Sequence, residues 1–457
     1  MTITERLAPP GPTEPYNSTE DLFFWMNENF ARYGDIYKAS VFGSDVFVVS
    51  NPVFCERILR RNWMNYARSG QVVKRISLLL GRGLIGSNGD FWVKQRRMIQ
   101  PAFSKSAIGN LVPVIAGGNA ELLATWKLAA ARGETVNVTL DVSRMVLKVT
   151  LSVIFGDDYY EVRSHFGILA EESARDLEFA QTFRLLGKVI REIAERRRRD
   201  SVIAEDFLGS LMQARDREHG EPMSDAQLAQ EVMTLIVAGH ETTASLLNWM
   251  WYLLSRHPKV QTRLAEEFDR LPWGEVPSMD ALPDYTYARQ IIDEALRLYP
   301  PLWLMTRKAI NDDQLGDFFV PAGTEIYISP YLIQRSPHLW EAPDSFDPDR
   351  MTPEAEQNRH ELALCPFGAG PRNCIGEFLA RVEIQLHLMM FARELLLRYD
   401  DETPPEVTTG MNLLSKHDFI MRPELRMPQG GCTANRIKDD NSIEQLRPCQ
   451  EGRETAA

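Results

Sequence analysis

The feature that most restricts how this 457-residue chain can fold is an unbroken helical segment near its middle. Ser224-Asp225-Ala226-Gln227 has capping-box form, and no proline follows until Pro258, so one helix is expected between them. At about 1.5 Å per residue it would span roughly 50 Å, the width of a whole domain. Such a helix has to pass through the core, with the other elements packed around it. Gly239 lies in its interior, where glycine costs about 1 kcal/mol relative to alanine. A flat ligand pressed against the helix is the compensation expected there.

The rest of the pattern is mainly helical. Residues 21–32 read as a helix, 287–298 as a second ended by Pro300-Pro301, and a third begins near Cys374 and continues to about Arg398. Residues 36–49 alternate apolar and polar side chains about Gly43-Ser44 and predict a hairpin; 318–320 and 325–329 read as short strands split by a Pro-Ala-Gly turn. With 44% hydrophobic and 25% charged residues, and no repeat of fixed period, an α+β unit is expected, mainly α with a small β region. The expected layout is a polar, proline-rich leader over 1–20, one domain over 21–428, and a disordered polar tail over 429–457.

A net charge of −12 and a pI near 5.3 argue against nucleic acid as a partner, because phosphate neutralisation needs a basic surface. The one basic run, 196–199, lies between Glu195 and Asp200 and reads as a solvated helix face. The five cysteines, at positions 55, 365, 374, 432 and 449, are scattered without a CxxC pair. They suggest neither a disulfide framework nor a structural zinc site, and they suit a reducing compartment. No stretch approaches 18 consecutive apolar residues, so neither signal peptide nor membrane anchor is expected and the cytoplasm is.

Chemistry concentrates in Phe367-Gly368-Ala369-Gly370-Pro371-Arg372-Asn373-Cys374-Ile375-Gly376. Gly368 and Gly370 permit a tight turn and a close backbone approach to a flat cofactor. Cys374 stands where the next helix is expected to begin, so orphan N–H groups and the helix dipole favour its thiolate. The segment matches the FxxGxRxCxG signature of the cytochrome P-450 family at every fixed position, a coincidence on the order of 1 in 10,000 for a chain of this length. The chain resembles that family over roughly 35–428. An isolated cysteine is most often buried and inert, which is the reading kept for Cys55, Cys365, Cys432 and Cys449; the frame around Cys374 reverses it. The resemblance implies a triangular helical domain around a haem, with the long helix at its centre and Cys374 as axial ligand to the iron. In that arrangement the thiolate pushes electron density onto the metal.

Further roles follow from the same resemblance. Glu294 and Arg297 match the family's ExxR helix, whose ion pair locks the core beneath the ligand loop. Other Glu-x-x-Arg matches, among them those at Glu172, Glu195, Glu267 and Glu356, read as ordinary helical pairs; Glu294 is singled out by its place before Pro300-Pro301 and upstream of Cys374. Arg350, within Phe346-Asp347-Pro348-Asp349-Arg350, is expected to join that pair. Ala238-Gly239-His240-Glu241-Thr242-Thr243 resembles the oxygen-activation motif, with Thr242 beside the reacting oxygen and Glu241 relaying protons. The hexapeptide alone reads more simply, as a threonine back-bonded to a carbonyl and a solvated glutamate. Trp92, Arg96, Arg307 and Arg372 are expected at the haem propionates, and Phe367, Gly368 and Gly239 against the cofactor. His240 lacks a second histidine at i+4 and reads as packing. Leu235, Ala238, Leu302, Trp303, Leu304, Met305, Leu413 and Leu414 suggest an apolar substrate wall, although core packing would use the same residues.

The activity implied is that of a monooxygenase with haem b (iron protoporphyrin IX) as cofactor and O2 as co-substrate. One oxygen atom would enter a lipid-like or secondary-metabolite substrate by hydroxylation or epoxidation. The chain contains no flavin or ferredoxin segment, so electrons from NAD(P)H are expected through a reductase and a ferredoxin or flavodoxin. That partner would dock near Lys94 and Arg97 on a monomeric protein. Two other functions stay open. An H2O2-driven peroxygenase is one, against which the Glu241-Thr242 pair argues; a haem-binding or sensing protein, which would not need that pair, is the other. Residues 155–206 are several turns shorter than usual in the family. Either the lid over the pocket is reduced, or the pocket is open to a bulky or carrier-held substrate.

Overall fold

Ser224 Oγ accepts a hydrogen bond from Gln227 N (3.3 Å), and the long helix it caps runs Asp225–Arg256, 32 residues or about 48 Å. In this computed structural model residues 7–18, 22–165, 176–202, 204–269 and 278–426 are described. In chain order the main elements are α1 (Leu22–Tyr33), β1 (Ile36–Val41), β2 (Ser44–Val49), β3 (Tyr66–Ala67), α2 (Gly89–Ile99), α3 (Val112–Arg132), α4 (Val138–Phe155), α5 (Asp176–Arg199), α6 (Asp225–Arg256), α7 (Pro258–Phe268), α8 (Thr286–Leu298), β4 (Met305–Ala309), β5 (Asp313–Leu315), β6 (Phe318–Val320), β7 (Glu325–Ile328), α9 (Glu377–Ala392), β8 (Leu395–Arg398), β9 (Val407–Thr409), β10 (Leu413–Ser415) and β11 (Ile420–Leu425). The helices α4, α5, α7, α8 and α9 pack around α6, and Trp126, Trp249, Trp251 and Phe391 are fully buried among them. The result is a mainly α fold with small sheets. One stretch, Lys105–Arg132, is long and apolar enough to cross a bilayer by composition; half of its most apolar window is buried in the fold.

The sheets supply pairings that the sequence reading left open. A five-stranded sheet runs β1-β2-β7-β4-β3, in which only β2 and β7 are parallel, with Val49 opposite Ile328. The 318–320 and 325–328 strands therefore do not partner each other: β6 folds back on β5, while β7 inserts between β2 and β4. The third helix is also shorter than expected. It begins at Glu377 and ends at Ala392, and residues 395–398 form β8 against β11, because Leu395 and Leu397 are buried alternately, which is the period of a strand.

Two further expectations are corrected. The leader is not separate from the domain: Pro10 O accepts from Lys38 N (2.9 Å), Tyr16 N donates to Ser40 O (2.8 Å), and the buried Tyr16 ring lies 4.9 Å from Trp25. Gly11 permits this docking, since a side-chain carbon there would stand 1.8 Å from Lys38 O. The basic run is not wholly solvated either. Arg197 is buried, bidentate to Asp206 (2.8 and 2.7 Å) and bonded to Asp158 (2.8 Å), because two carboxylates converge on it. The 429–457 tail and part of 155–206 lie outside the described residues.

Beneath the Cys374 loop, α8 carries the pair Glu294 and Arg297, both fully buried. Glu267 fixes the start of α8 by accepting from the amides of Tyr287 (2.8 Å) and Ala288 (2.9 Å). Arg297 donates to Glu294 through Nε (2.7 Å) and Nη2 (2.8 Å), and to the carbonyls of Gln334 (2.8 Å), Pro343 (2.6 Å) and Ser345 (3.0 Å). Arg350 Nε and Asp347 N each reach Glu294 Oε1 at 3.0 Å. Removing Arg297 leaves the buried Glu294 with Arg350 and the Asp347 amide alone and takes a donor from each of three carbonyls. Arg297→Ala is expected to cost about 3–5 kcal/mol of folding stability, and Arg297→Lys an intermediate amount, since ammonium keeps the charge without the planar fork. Denaturant midpoints measure both; a wild-type midpoint for Arg297→Ala would contradict the pair's structural role.

Candidate active site

Cys374 closes a loop that its glycines shape. Gly368 and Gly370 adopt φ of +72° and +71°, in the left-handed region, and Cys374 N donates to Phe367 O (2.9 Å). A side-chain carbon at Gly370 would lie 2.0 Å from Leu59 O. The close approach expected from a cofactor at this glycine is made by the backbone of residue 59. Cys374 keeps solvent exposure, although most of its surroundings are protein. Burial pushes it up, outweighing the Gly376 amide and the positive charges of Arg96 and Arg68. The local helix does less than expected because α9 starts only at Glu377. A thiolate here needs a further cation, and a bound metal is one.

Four guanidinium groups form a cluster that reaches the thiol through Arg68 and Arg96. Arg68 and Arg96 both feel the Cys374 charge, and Arg307 feels Arg68 and Arg372. Their hydrogen bonds go to neutral acceptors: Arg96 to Asn373 O (2.9 Å) and Oδ1 (3.1 Å), Arg372 to Ser87 O and Asn88 Oδ1 (both 3.1 Å), Arg307 to Thr306 O (2.9 Å), Arg68 to Ile85 O (3.2 Å). Among the described residues none of the four has a carboxylate partner. Burial, and then Arg68 and Arg372, pull Arg307 well below the usual guanidinium range; burial and Arg68 bring Arg372 down to about 9. Guanidinium keeps its proton in proteins, so the cluster suits a ligand that brings carboxylates. Trp92 is buried with Arg372 4.2 Å above its ring, and Arg381 lies 5.1 Å from the Phe367 ring. A thiol for a metal and cations for carboxylates fit the iron and propionates of haem. Arg68 was not singled out from sequence, since a lone arginine after a two-residue strand carries no pattern.

On α6, Ala238 is exposed and Leu235, Glu241 and Thr242 half-buried, in a helix whose other faces are largely covered. Thr242 Oγ1 donates to Ala238 O (2.5 Å), the back-bond expected of the hexapeptide by itself, and its oxygen keeps lone pairs for a second donor. Glu241 Oε2 accepts from Asn412 Nδ2 (2.6 Å); burial raises this carboxyl and the amide lowers it. His240 packs with Nε2 3.1 Å from Ser143 Oγ, and burial brings it down to about 4. Gly239 is corrected: a side-chain carbon there would meet Thr150 of α4 at 3.6 Å, so the position faces a neighbouring helix and not a flat ligand.

The proposed apolar wall divides. Trp303 and Leu413 belong to the core under α1, with Trp303 5.5 Å from Phe23, whereas Leu302 is exposed and Leu304 and Leu414 half-buried. Met305 is buried with Sδ beside Gly368. Trp303 and Leu413 are thus withdrawn from the wall, because the sheet and the hairpin enclose them. Lys94, expected to be free for docking, pairs with Asp216 at 2.9 Å; Arg97 stays exposed.

The sequence profile described as Cytochrome P450 matches residues 14–166 and 165–426, two stretches that meet within 155–206. The chain is 31% identical over 388 residues to cyclooctatin synthase of Streptomyces melanosporofaciens, covering 80% of this chain and 83% of that protein. It is 29% identical over 383 residues to pentalenene oxygenase of Streptomyces avermitilis, covering 79% and 83%. The crystal structure of the cytochrome P450DA haem domain superposes with a TM-score of 0.81 at 25% identity, covering 92% of this chain and 98% of that one.

Replacing Arg307 or Arg68 with leucine tests the cation cluster. Each variant is expected to lose about tenfold or more in haem affinity, the equivalent of one charged hydrogen bond of ~1.5–3 kcal/mol, while the haem-free protein gains thermal stability as repulsion is relieved. Competition for haem with an apo-globin measures the first and a melting curve the second. Unchanged haem affinity in both variants would place the propionates elsewhere.

Proposed function

This chain belongs to the cytochrome P450 family and is a P450 monooxygenase; from that premise we propose that it holds haem b on Cys374 and inserts one atom of O2 into an apolar terpenoid. The observation that carries this reading is the convergence of an accessible thiol with four guanidinium groups that lack carboxylate partners. When bound, the haem supplies the iron at which O2 is reduced and activated for transfer. Cys374 Sγ would hold its iron, with the Gly376 amide steadying the sulfur. Arg68, Arg96, Arg307 and Arg372 would neutralise its propionates, with the Trp92 ring holding the plane of Arg372.

On the substrate side, Thr242 Oγ1 has its own proton committed to Ala238 O, so the hydroxyl serves as an acceptor that holds a donor proton near the reacting oxygen. Glu241 takes protons from solvent and passes them toward Thr242. Leu235 and Ala238 present the substrate with an apolar face from which water is excluded. The names of the two Streptomyces relatives support a terpenoid as the substrate class. Electrons come from NAD(P)H through a reductase and a ferredoxin or flavodoxin, and the enzyme works as a cytoplasmic monomer.

Reconstitution with ferredoxin, reductase and a panel of cyclic terpenes tests the whole reading; Cys374→Ala is expected to lose the thiolate-type absorbance of the reduced CO complex, and a retained one would refute the ligand assignment. Thr242→Ala should keep haem and substrate binding, while product per NAD(P)H falls by roughly tenfold or more and H2O2 rises. An unchanged ratio would remove Thr242 from proton delivery.

A further inference from the structure

Asn412 is a buried amide, 2% exposed, whose carboxamide takes no part in fastening its own hairpin. It stands at the turn between β9 and β10, and that hairpin is fastened through the main chain. Leu413 N donates to Pro301 O (2.9 Å); Leu413 O accepts from Ser245 Oγ (2.7 Å) and Trp249 Nε1 (3.2 Å); Gly410 O accepts from Trp303 Nε1 (3.4 Å). None of these bonds uses the Asn412 carboxamide, which instead donates to Glu241 Oε2 at 2.6 Å. Among the described residues the Glu241 carboxylate has no other hydrogen-bond or ion-pair partner. Ser245 and Trp249 lie one and two turns beyond Glu241 on α6, so the helix that carries the acid also carries the fastenings that hold its partner in register.

We propose that Asn412 is a positioning residue for Glu241, holding the carboxylate in one orientation and favouring its ionised form so that it can accept a proton from solvent and release it toward Thr242 at each turnover. The proposal rests on the reading of Glu241 as the proton relay. Burial opposes the charged form of Glu241 and the Asn412 amide supports it; no charged group enters that balance. Of the ionisable groups on the packed elements, His240 bonds Ser143, Glu406 pairs with Lys416 across the hairpin, and on α4 Lys148 pairs with Glu121 and Asp141 with Trp126, while Arg144 is exposed. An amide suits this place because it donates without adding a charge, leaving the carboxylate free to cycle between its two forms.

The test compares Asn412→Leu and the isosteric Asn412→Asp in the haem-loaded enzyme. Both should retain haem content and helical circular dichroism. The infrared carboxylic-acid band of protonated Glu241, assigned by its loss in Glu241→Gln, should titrate about one pH unit higher in Asn412→Leu, a tenfold change in the ionised fraction, and higher still in Asn412→Asp, where a like charge faces it. The acid limb of the kcat–pH profile should move upward in the same order, with KM little changed. A band that titrates as in the wild type in both variants overturns the positioning role. Wild-type coupling and pH profile in Glu241→Gln would overturn instead the relay reading on which the proposal rests.

Discussion

Arg297 has five N–H donors, and each finds an acceptor: two on Glu294 and one each on the carbonyls of Gln334, Pro343 and Ser345. Two opposite charges with no solvent exposure are tolerable only with such complete pairing, and the completeness is what makes the contact directional. Gln334, itself fully buried, carries the constraint onward. Its amide donates to Leu296 O (2.9 Å) and Arg297 O (3.0 Å), and its Oε1 accepts from Cys365 N (3.0 Å). Cys365 O then accepts from Gly368 N (3.0 Å), and Phe367 O from Cys374 N (2.9 Å). An unbroken run of hydrogen bonds thus ties the end of α8 to the loop that presents the candidate ligand, which fixes the height of the thiol relative to the helical core.

The two sides of the site make contrary electrostatic demands. Around Cys374 the chain gathers cations with neutral hydrogen-bond partners, so that side is completed by an anionic ligand and a metal. Along α6 charge is scarce, and beside Thr242 the glutamate Glu241 is kept ionisable by one amide in a setting that otherwise disfavours it. Low local dielectric strengthens every interaction on both sides, which is why single contacts such as Asn412 to Glu241 carry weight here that they would not carry at the surface. The same economy appears in Thr242, whose back-bond to Ala238 serves the helix and leaves the oxygen's lone pairs for a second donor.

The long helix, the Gly43-Ser44 hairpin, the ExxR pair and the Cys374 loop were legible in the sequence because each rests on local chemistry: a cap, a turn, a spacing of three, a run of glycines with positive φ. The misreadings share a physical cause. Gly239 invited a ligand, but the side that would bear its side chain is taken by Thr150 of α4; Trp303 and Leu413 are apolar whether they line a pocket or a core; Arg197 stood in a basic run until two aspartates distant in sequence closed on it.

By itself the sequence determined the helical class, the central helix, the cysteine frame and the family. It did so because helix periodicity, caps and turns are set by residues within a few positions of one another. Only the tertiary structure decided that Arg68 joins the cation cluster, that Gln334 links the ion pair to the ligand loop, that Lys94 is taken by Asp216, and that Asn412 meets Glu241. In each case the partners are separated by tens to hundreds of residues, and no local pattern records which of many similar side chains the fold will bring within hydrogen-bonding distance.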